Sequence, residues 1–185
     1  MMIDKDTISI GERIQAAAST KANKNRLKLP PDRLARCRGG VFKNYSRLPP
    51  GKKGKFGEYV ASDVAAGFGL TVTKPLGRGH DRCINGIRTE IKTSMAQIDG
   101  TWMINHVGVK KDWERIIILL IGPNLDDDHL VWFTKEAFLE MNKTKKYFTR
   151  QQGGKRGKND DRMSTGKKLE NLINSGLATE LSSEW

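Results

Sequence analysis

The fold is decided by the stretch Gly79-His80-Asp81-Arg82-Cys83-Ile84-Asn85-Gly86-Ile87-Arg88-Thr89-Glu90-Ile91-Lys92 of a 185-residue chain. Asn85-Gly86 between two isoleucines predicts a two-residue β-hairpin, because a type I′ turn needs a positive φ at both central positions. Counting outward from that turn pairs Arg82 with Thr89 and Asp81 with Glu90. Like charges directly opposite each other destabilise a sheet, so these two carboxylates need a compensating cation.

The alternation of side chains along the second strand brings a third charged group to the same place. Glu90 and Lys92 point to one face together with Arg88, while Thr89 and Ile91 point to the other face. Asp81, Glu90 and Lys92 are therefore expected to converge on one spot. Two carboxylates beside an ammonium group predict an active site.

These residues also carry a family resemblance. Asp81, eight intervening residues and then Glu90-Ile91-Lys92 resemble the core motif of the PD-(D/E)XK nuclease superfamily, the fold of many type II restriction endonucleases. The resemblance covers roughly residues 55 to 140, and it departs from the family name at one position, where His80 replaces the proline. It implies a Mg²⁺-dependent DNA endonuclease, with Mn²⁺ able to substitute for Mg²⁺.

The resemblance also implies roles for individual residues. Asp81, Glu90 and the backbone carbonyl of Ile91 would hold Mg²⁺, which takes oxygen ligands and keeps several waters. Lys92 would position the attacking water or steady the developing charge. The alternative is a surface Asp–Glu–Lys network without chemistry.

Glu58 is a further candidate catalytic residue. Many members of the family carry a glutamate on the helix before the metal-binding hairpin, and a predicted helix that begins near Lys55 places Glu58 there. A favourable interaction with the N-terminus of that helix explains the residue equally well.

The charge of the chain is unevenly distributed. The net charge is +12 overall, with +10 in residues 1–55, −3 in residues 56–142, +8 in residues 143–168 and −3 in residues 169–185. Two basic flanks around a slightly acidic centre favour a nucleic-acid partner, and the resemblance implies double-stranded DNA; the alternative is that the basic arms are disordered and contribute only solubility. We therefore expect a basic N-terminal arm with a short helix (1–54), a nuclease core (55–142), and a basic DNA-contacting loop with a C-terminal helix (143–185).

The C-terminal basic segment combines arginine, lysine, amide and glycine residues. Such side chains contact base edges in the major groove, and glycine lets the backbone approach phosphate. The alternative is a basic loop that makes only salt-dependent phosphate contacts. The candidate DNA-binding residues are Arg150, Gln151, Gln152, Lys155, Arg156, Lys158 and Asn159.

The remaining patterns predict an α/β fold with a mixed central β-sheet flanked by helices, a restriction-endonuclease-like core between two basic arms. Ser9 and Glu12 form a capping-box pattern that predicts a helix over residues 10–19. Residues 20–55 are expected to be loop, residues 115–121 a buried strand, residues 130–133 a further strand, and residues 135–141 a helix that Thr134 caps.

Membrane and secretory classes are not favoured. The sequence contains no apolar run of transmembrane length and no signal-peptide pattern, and its two cysteines lack metal-ligand spacing. We expect a cytoplasmic protein without a membrane partner, most similar to a sequence-specific type II restriction enzyme that acts as a homodimer. The alternatives are a junction-resolving or nicking nuclease of the same superfamily, or a non-catalytic basic nucleic-acid-binding protein.

Overall fold

The structure is a computed structural model that describes residues 8–26, 42, 44, 45, 48–75, 77–96, 103–122, 125–144, 148–150, 160–164 and 175–185. Its helices are α1 (Ile10–Ser19), α2 (Lys21–Arg26), α3 (Pro50–Gly67) and α4 (Lys135–Thr144). Its strands are β1 (Val72–Thr73), β2 (Arg82–Ile84), β3 (Ile87–Met95), β4 (Met103–Gly108), β5 (Arg115–Ile121), β6 (His129–Thr134), β7 (Phe148–Arg150), β8 (Asp160–Ser164) and β9 (Thr179–Glu180).

Two sheets are formed by these strands. The larger has the order β1-β2-β3-β5-β6-β9, and the smaller has the order β4-β8-β7. In the larger sheet β3 and β5 run parallel, whereas the other neighbours are antiparallel. The predicted class, a mixed sheet flanked by helices, is confirmed.

The central strand β5 has the predicted bounds, and its side chains divide between two cores. Ile117, Leu119 and Ile121 pack on the side that carries α1 and α3. Ile116, Ile118 and Leu120 pack on the opposite side, with residues of β4, β6 and α4. Because both faces are covered, the strand is apolar throughout rather than alternating.

The N-terminal helix α1 also has its predicted bounds, and its capping box is present. The Glu12 N–H donates to Ser9 Oγ at 3.2 Å, and the Ser9 N–H donates to Glu12 Oε2 at 2.9 Å. Residues of α1 belong to the same core cluster as residues of α3 and β5.

Helix α3 begins earlier than the sequence suggested. Pro50 occupies its first turn, where a missing N–H costs no intrahelical hydrogen bond, so the prediction of loop throughout residues 20–55 was wrong for α2 and for the start of α3. The helix spans the expected boundary at residues 54–55. Glu58 consequently lies in the third turn, beyond the reach of the N-terminal helix dipole.

Helix α3 packs unusually close to β3 at one point. A Cβ atom added to Gly57 would lie 1.6 Å from Thr93 Oγ1, so only glycine permits this approach. The contact places Glu58, the next residue, beside the hairpin.

The C-terminal basic segment contains described strands. β7 and β8 pair with each other, and β8 pairs with β4. Arg150 ends β7, while Gln151, Gln152, Lys155, Arg156, Lys158 and Asn159 lie outside the described residues, as does the predicted helix near residues 167–174. Within the described ranges, no helix is both long enough and apolar enough to cross a membrane.

Candidate active site

The hairpin has the predicted turn and register. Asn85 has φ +47° and Gly86 has φ +80°, and β2 pairs with β3 through Arg82–Thr89, Cys83–Arg88 and Ile84–Ile87. The ladder ends there. The Asp81 N–H donates to the Thr89 carbonyl at 2.9 Å, so Asp81 is displaced by one residue from the expected position opposite Glu90.

Beyond Thr89, the backbone of β3 no longer pairs with β2. The displaced Asp81 carboxylate lies against this unpaired edge. Asp81 Oδ2 accepts a hydrogen bond from the Ile91 N–H at 2.8 Å. In an extended strand the N–H and the carbonyl of one residue point to the same side, so the Ile91 carbonyl is also directed towards Asp81. Asp81 and Ile91, two of the three predicted metal ligands, are thus brought together.

Burial and neighbouring carboxylates act together on Asp81. Burial raises its pKa above the usual range, and the charge of Glu90 raises it further. The Ile91 N–H and the Lys92 charge oppose these effects, and Glu58 adds a smaller increase. All the predicted catalytic side chains therefore lie within electrostatic range of Asp81.

Glu90 is the buried carboxylate of the site. It pairs in register with Ile116 and therefore points to the face that carries the second core. Its side chain is 1% exposed, and its Oε1 atom lies 2.5 Å from Lys92 Nζ and 2.9 Å from Lys111 Nζ. The other oxygen, Oε2, is buried and has no hydrogen-bond partner among the described residues. Glu90 is therefore a buried carboxylate rather than part of a surface network.

Glu58 lies across β3 from Glu90, on the side of the sheet that α3 covers. Its Oε2 atom accepts from Lys55 Nζ at 2.6 Å and from Arg82 Nη1 at 3.2 Å. Glu58 and Asp81 line one cavity of about 470 Å³, together with His80 and Arg82. Glu58 and Asp81 therefore face the same cavity.

Two cationic side chains of the site were not predicted from the sequence. Arg82 was placed only by its register, yet its guanidinium joins Glu58 to the Asp81 carbonyl, at 3.2 Å and 2.6 Å. Lys111 lies 21 positions after Glu90, and the turn between β4 and β5 brings its ammonium into contact with Glu90. Side-chain alternation could have placed Arg82 on the face of α3, whereas no local pattern indicates Lys111.

Asp81, Glu90 and the Ile91 carbonyl are the oxygen donors of the site that could hold a metal ion. Within the described part of the chain, no three His, Cys, Asp or Glu side chains converge closely enough to hold a metal ion. Two carboxylates and one carbonyl remain, and Mg²⁺ commonly binds proteins through one or two carboxylates and completes its octahedron with water. Glu90 Oε2, a buried acceptor without a described donor, is the atom that such an ion would satisfy.

Searches with protein-family models and among curated proteins find no match to this sequence. The chemistry of the site is therefore the basis for a functional assignment.

Proposed function

We propose that this protein is a Mg²⁺-dependent endonuclease that hydrolyses DNA phosphodiester bonds, with Mn²⁺ able to substitute. The observation that carries the proposal is that Asp81 accepts a hydrogen bond from the N–H of Ile91, the residue between the ion-paired Glu90 and Lys92, and lies within the electrostatic influence of both. Two carboxylates that repel each other bind a hard cation well, and the adjacent ammonium can contact a phosphate bound beside it.

Each residue has a task in this reaction. Asp81, Glu90 and the Ile91 carbonyl would hold the cation, which would withdraw charge from the phosphate oxygens and acidify water. The water oxygen forms a new bond to phosphorus and the bond to one sugar oxygen breaks. The proton lost by the water passes to solvent, and the leaving oxygen takes a proton from solvent. Lys92 orients the water or steadies the charge that develops on the phosphate.

The partner and the fold family follow from separate features. The net charges of +10 and +8 on the two flanks support double-stranded DNA as substrate. The succession of a glutamate-bearing helix, a carboxylate hairpin and a parallel strand supports a restriction-endonuclease-like core. We propose a sequence-specific, type II-like enzyme that acts as a homodimer, because one site cuts one strand.

The test is incubation of supercoiled and linear plasmid with the protein, in Mg²⁺ and in EDTA. Glu90→Ala is the inactive variant, and Glu140→Ala is the matched control, because Glu140 is an exposed carboxylate on α4. Discrete Mg²⁺-dependent fragments that Glu140→Ala also produces and Glu90→Ala does not would support the full proposal. Nicked circles alone, or cleavage confined to branched DNA, would favour a nicking or junction-resolving enzyme of the same superfamily. Intact DNA in Mg²⁺ and Mn²⁺, with salt-sensitive binding, would replace the proposal by a non-catalytic nucleic-acid-binding protein.

A further inference from the structure

Lys111 lies in a firmly held turn between β4 and β5. Its N–H donates to the Gly108 carbonyl at 3.0 Å, and the Trp113 N–H donates to the Lys111 carbonyl at 3.1 Å. The indole N–H of Trp113, which is buried, donates to the same Gly108 carbonyl at 2.9 Å. Lys135 Nζ also donates to the Lys111 carbonyl, at 2.7 Å. The backbone of Lys111 is therefore fixed beside the site.

One glycine leaves room for the Lys111 side chain, and a second leaves room for the turn that carries it. A Cβ atom on Gly108 would lie 2.9 Å from Lys111 Cγ and 3.0 Å from Cδ, so the lysine stem packs directly against this glycine. A Cβ atom on Gly79 would lie 2.8 Å from the Asp112 nitrogen, so the same turn packs against the chain that leads into Asp81. Lys111 is thereby directed at Glu90, and its ammonium lies 2.9 Å from Oε1.

Two ammonium groups share one oxygen of Glu90. Lys92, 19% exposed, already pairs with the same Glu90 oxygen at 2.5 Å, whereas the Lys111 side chain is 46% exposed and reaches the site from solvent. A cation that takes the Glu90 carboxylate would compete with the ion pair and release Lys111. A phosphate that shared this ion with Glu90 would be bound next to that ammonium, because Mg²⁺ is commonly held by carboxylates and substrate phosphates together.

We propose that Lys111 is a second catalytic lysine that binds a non-bridging oxygen of the scissile phosphate once the divalent cation is on Glu90. This inference rests on the proposed nuclease function. The flexible four-carbon stem of lysine lets the ammonium pass from Oε1 to the phosphate while the backbone of the turn stays in place. In this arrangement Lys92 orients the attacking water, and Lys111 binds the phosphate oxygen.

The test compares Lys111→Gln and Lys111→Arg with Lys110→Gln in the full-length protein. Lys110 is the matched control because it is an exposed lysine of the same turn and loses the same charge. Single-turnover cleavage of plasmid is measured over a series of Mg²⁺ concentrations, and DNA affinity is measured in EDTA. Thermal unfolding checks that the variants fold, and Lys111→Ala is a second neutral variant.

We expect Lys111→Gln to lose about 10²-fold in rate at saturating Mg²⁺, as on removal of one donor to developing charge. Lys110→Gln is expected to stay within about twofold of the wild type, as for an exposed surface substitution. Lys111→Arg is expected to regain part of the loss. Equal rates for Lys111→Gln and Lys110→Gln would overturn the inference, and so would recovery of Lys111→Gln at high Mg²⁺, because the residue would then act only through the metal ligand. A wild type that cleaves no DNA would overturn the proposed function and this inference with it.

Discussion

The contact between Gly57 and Thr93 gives the sharpest prediction, because one substitution is expected to have opposite effects at two places on one helix. Gly57→Ala and Gly54→Ala both gain about 1 kcal/mol of helix propensity. Gly54 is exposed, and a Cβ atom there would have no neighbour within 4 Å, so Gly54→Ala should keep that gain.

The gain at Gly57 is outweighed by the clash. Its new Cβ would lie 1.6 Å from Thr93 Oγ1 and 2.6 Å from Thr93 Cβ. Rotation of the threonine removes the first conflict but leaves the second, so α3 must move away from β3. Overpacking of this kind costs about 1–3 kcal/mol, and this contact belongs at the upper end. Gly57→Ala should therefore be about 2 kcal/mol less stable than the wild type and about 3 kcal/mol less stable than Gly54→Ala.

Urea and thermal unfolding, followed by circular dichroism, measure the difference. In a chain of this size it corresponds to roughly 6–12 °C between the midpoints of the two variants. Thr93→Ala in the Gly57→Ala background should restore part of the stability, because it removes two of the three contacting atoms. Equal stabilities of Gly57→Ala and Gly54→Ala would refute the close packing of α3 on β3, and with it the placement of Glu58.

Three further substitutions test other parts of the account. Burial raises the pKa of Asp81, so its ionisation opposes folding as pH rises from the usual aspartate range through the raised value. Without divalent ions, Asp81→Asn should therefore have a higher melting temperature than the wild type at neutral pH, and this difference should disappear in acid. Equal melting temperatures at neutral pH would show that ionised Asp81 does not destabilise the fold. Lys92→Ala should bind DNA as the wild type does yet lose about 10²–10³-fold in cleavage rate, and an unchanged rate would exclude its role. Trp185→Ala should lower the free energy of unfolding by about 2–3 kcal/mol, because its indole N–H donates to the Ile84 carbonyl at 3.1 Å and its ring packs 5.1 Å from Trp132; a loss under about 0.5 kcal/mol would show that the contact contributes nothing.

The hairpin was predictable because turn chemistry and strand period act locally. Asn85-Gly86 determines the turn, and the register up to Arg82–Thr89 follows by counting. The prediction failed at Asp81, where the strand ends and its N–H turns to the Thr89 carbonyl. The failure is physically reasonable, because a carboxylate directly opposite Glu90 would be repelled.

Contacts distant in sequence were beyond local patterns. The burial of Glu90 depends on the second core, which is built from strands and a helix that follow it in the chain. The contact of Lys111 with Glu90 depends on the turn between β4 and β5, which the hydrogen bond from the Trp113 indole to the Gly108 carbonyl stabilises. The start of α3 was missed for another reason, because the pair Pro49-Pro50 favours a loop in the sequence pattern, whereas proline also suits the first turn of a helix. Base contacts by the C-terminal basic segment stay a prediction.

The proposed function requires the hairpin carboxylates to bind a divalent cation. Calorimetric titration of Mn²⁺ and Mg²⁺ into the wild type, Glu90→Gln and the surface control Glu140→Gln tests it most directly. We expect the wild type and Glu140→Gln to bind alike and Glu90→Gln to lose that binding, because Glu90 Oε2 is the buried acceptor offered to the ion. Binding by Glu90→Gln with the affinity of the wild type would contradict the account.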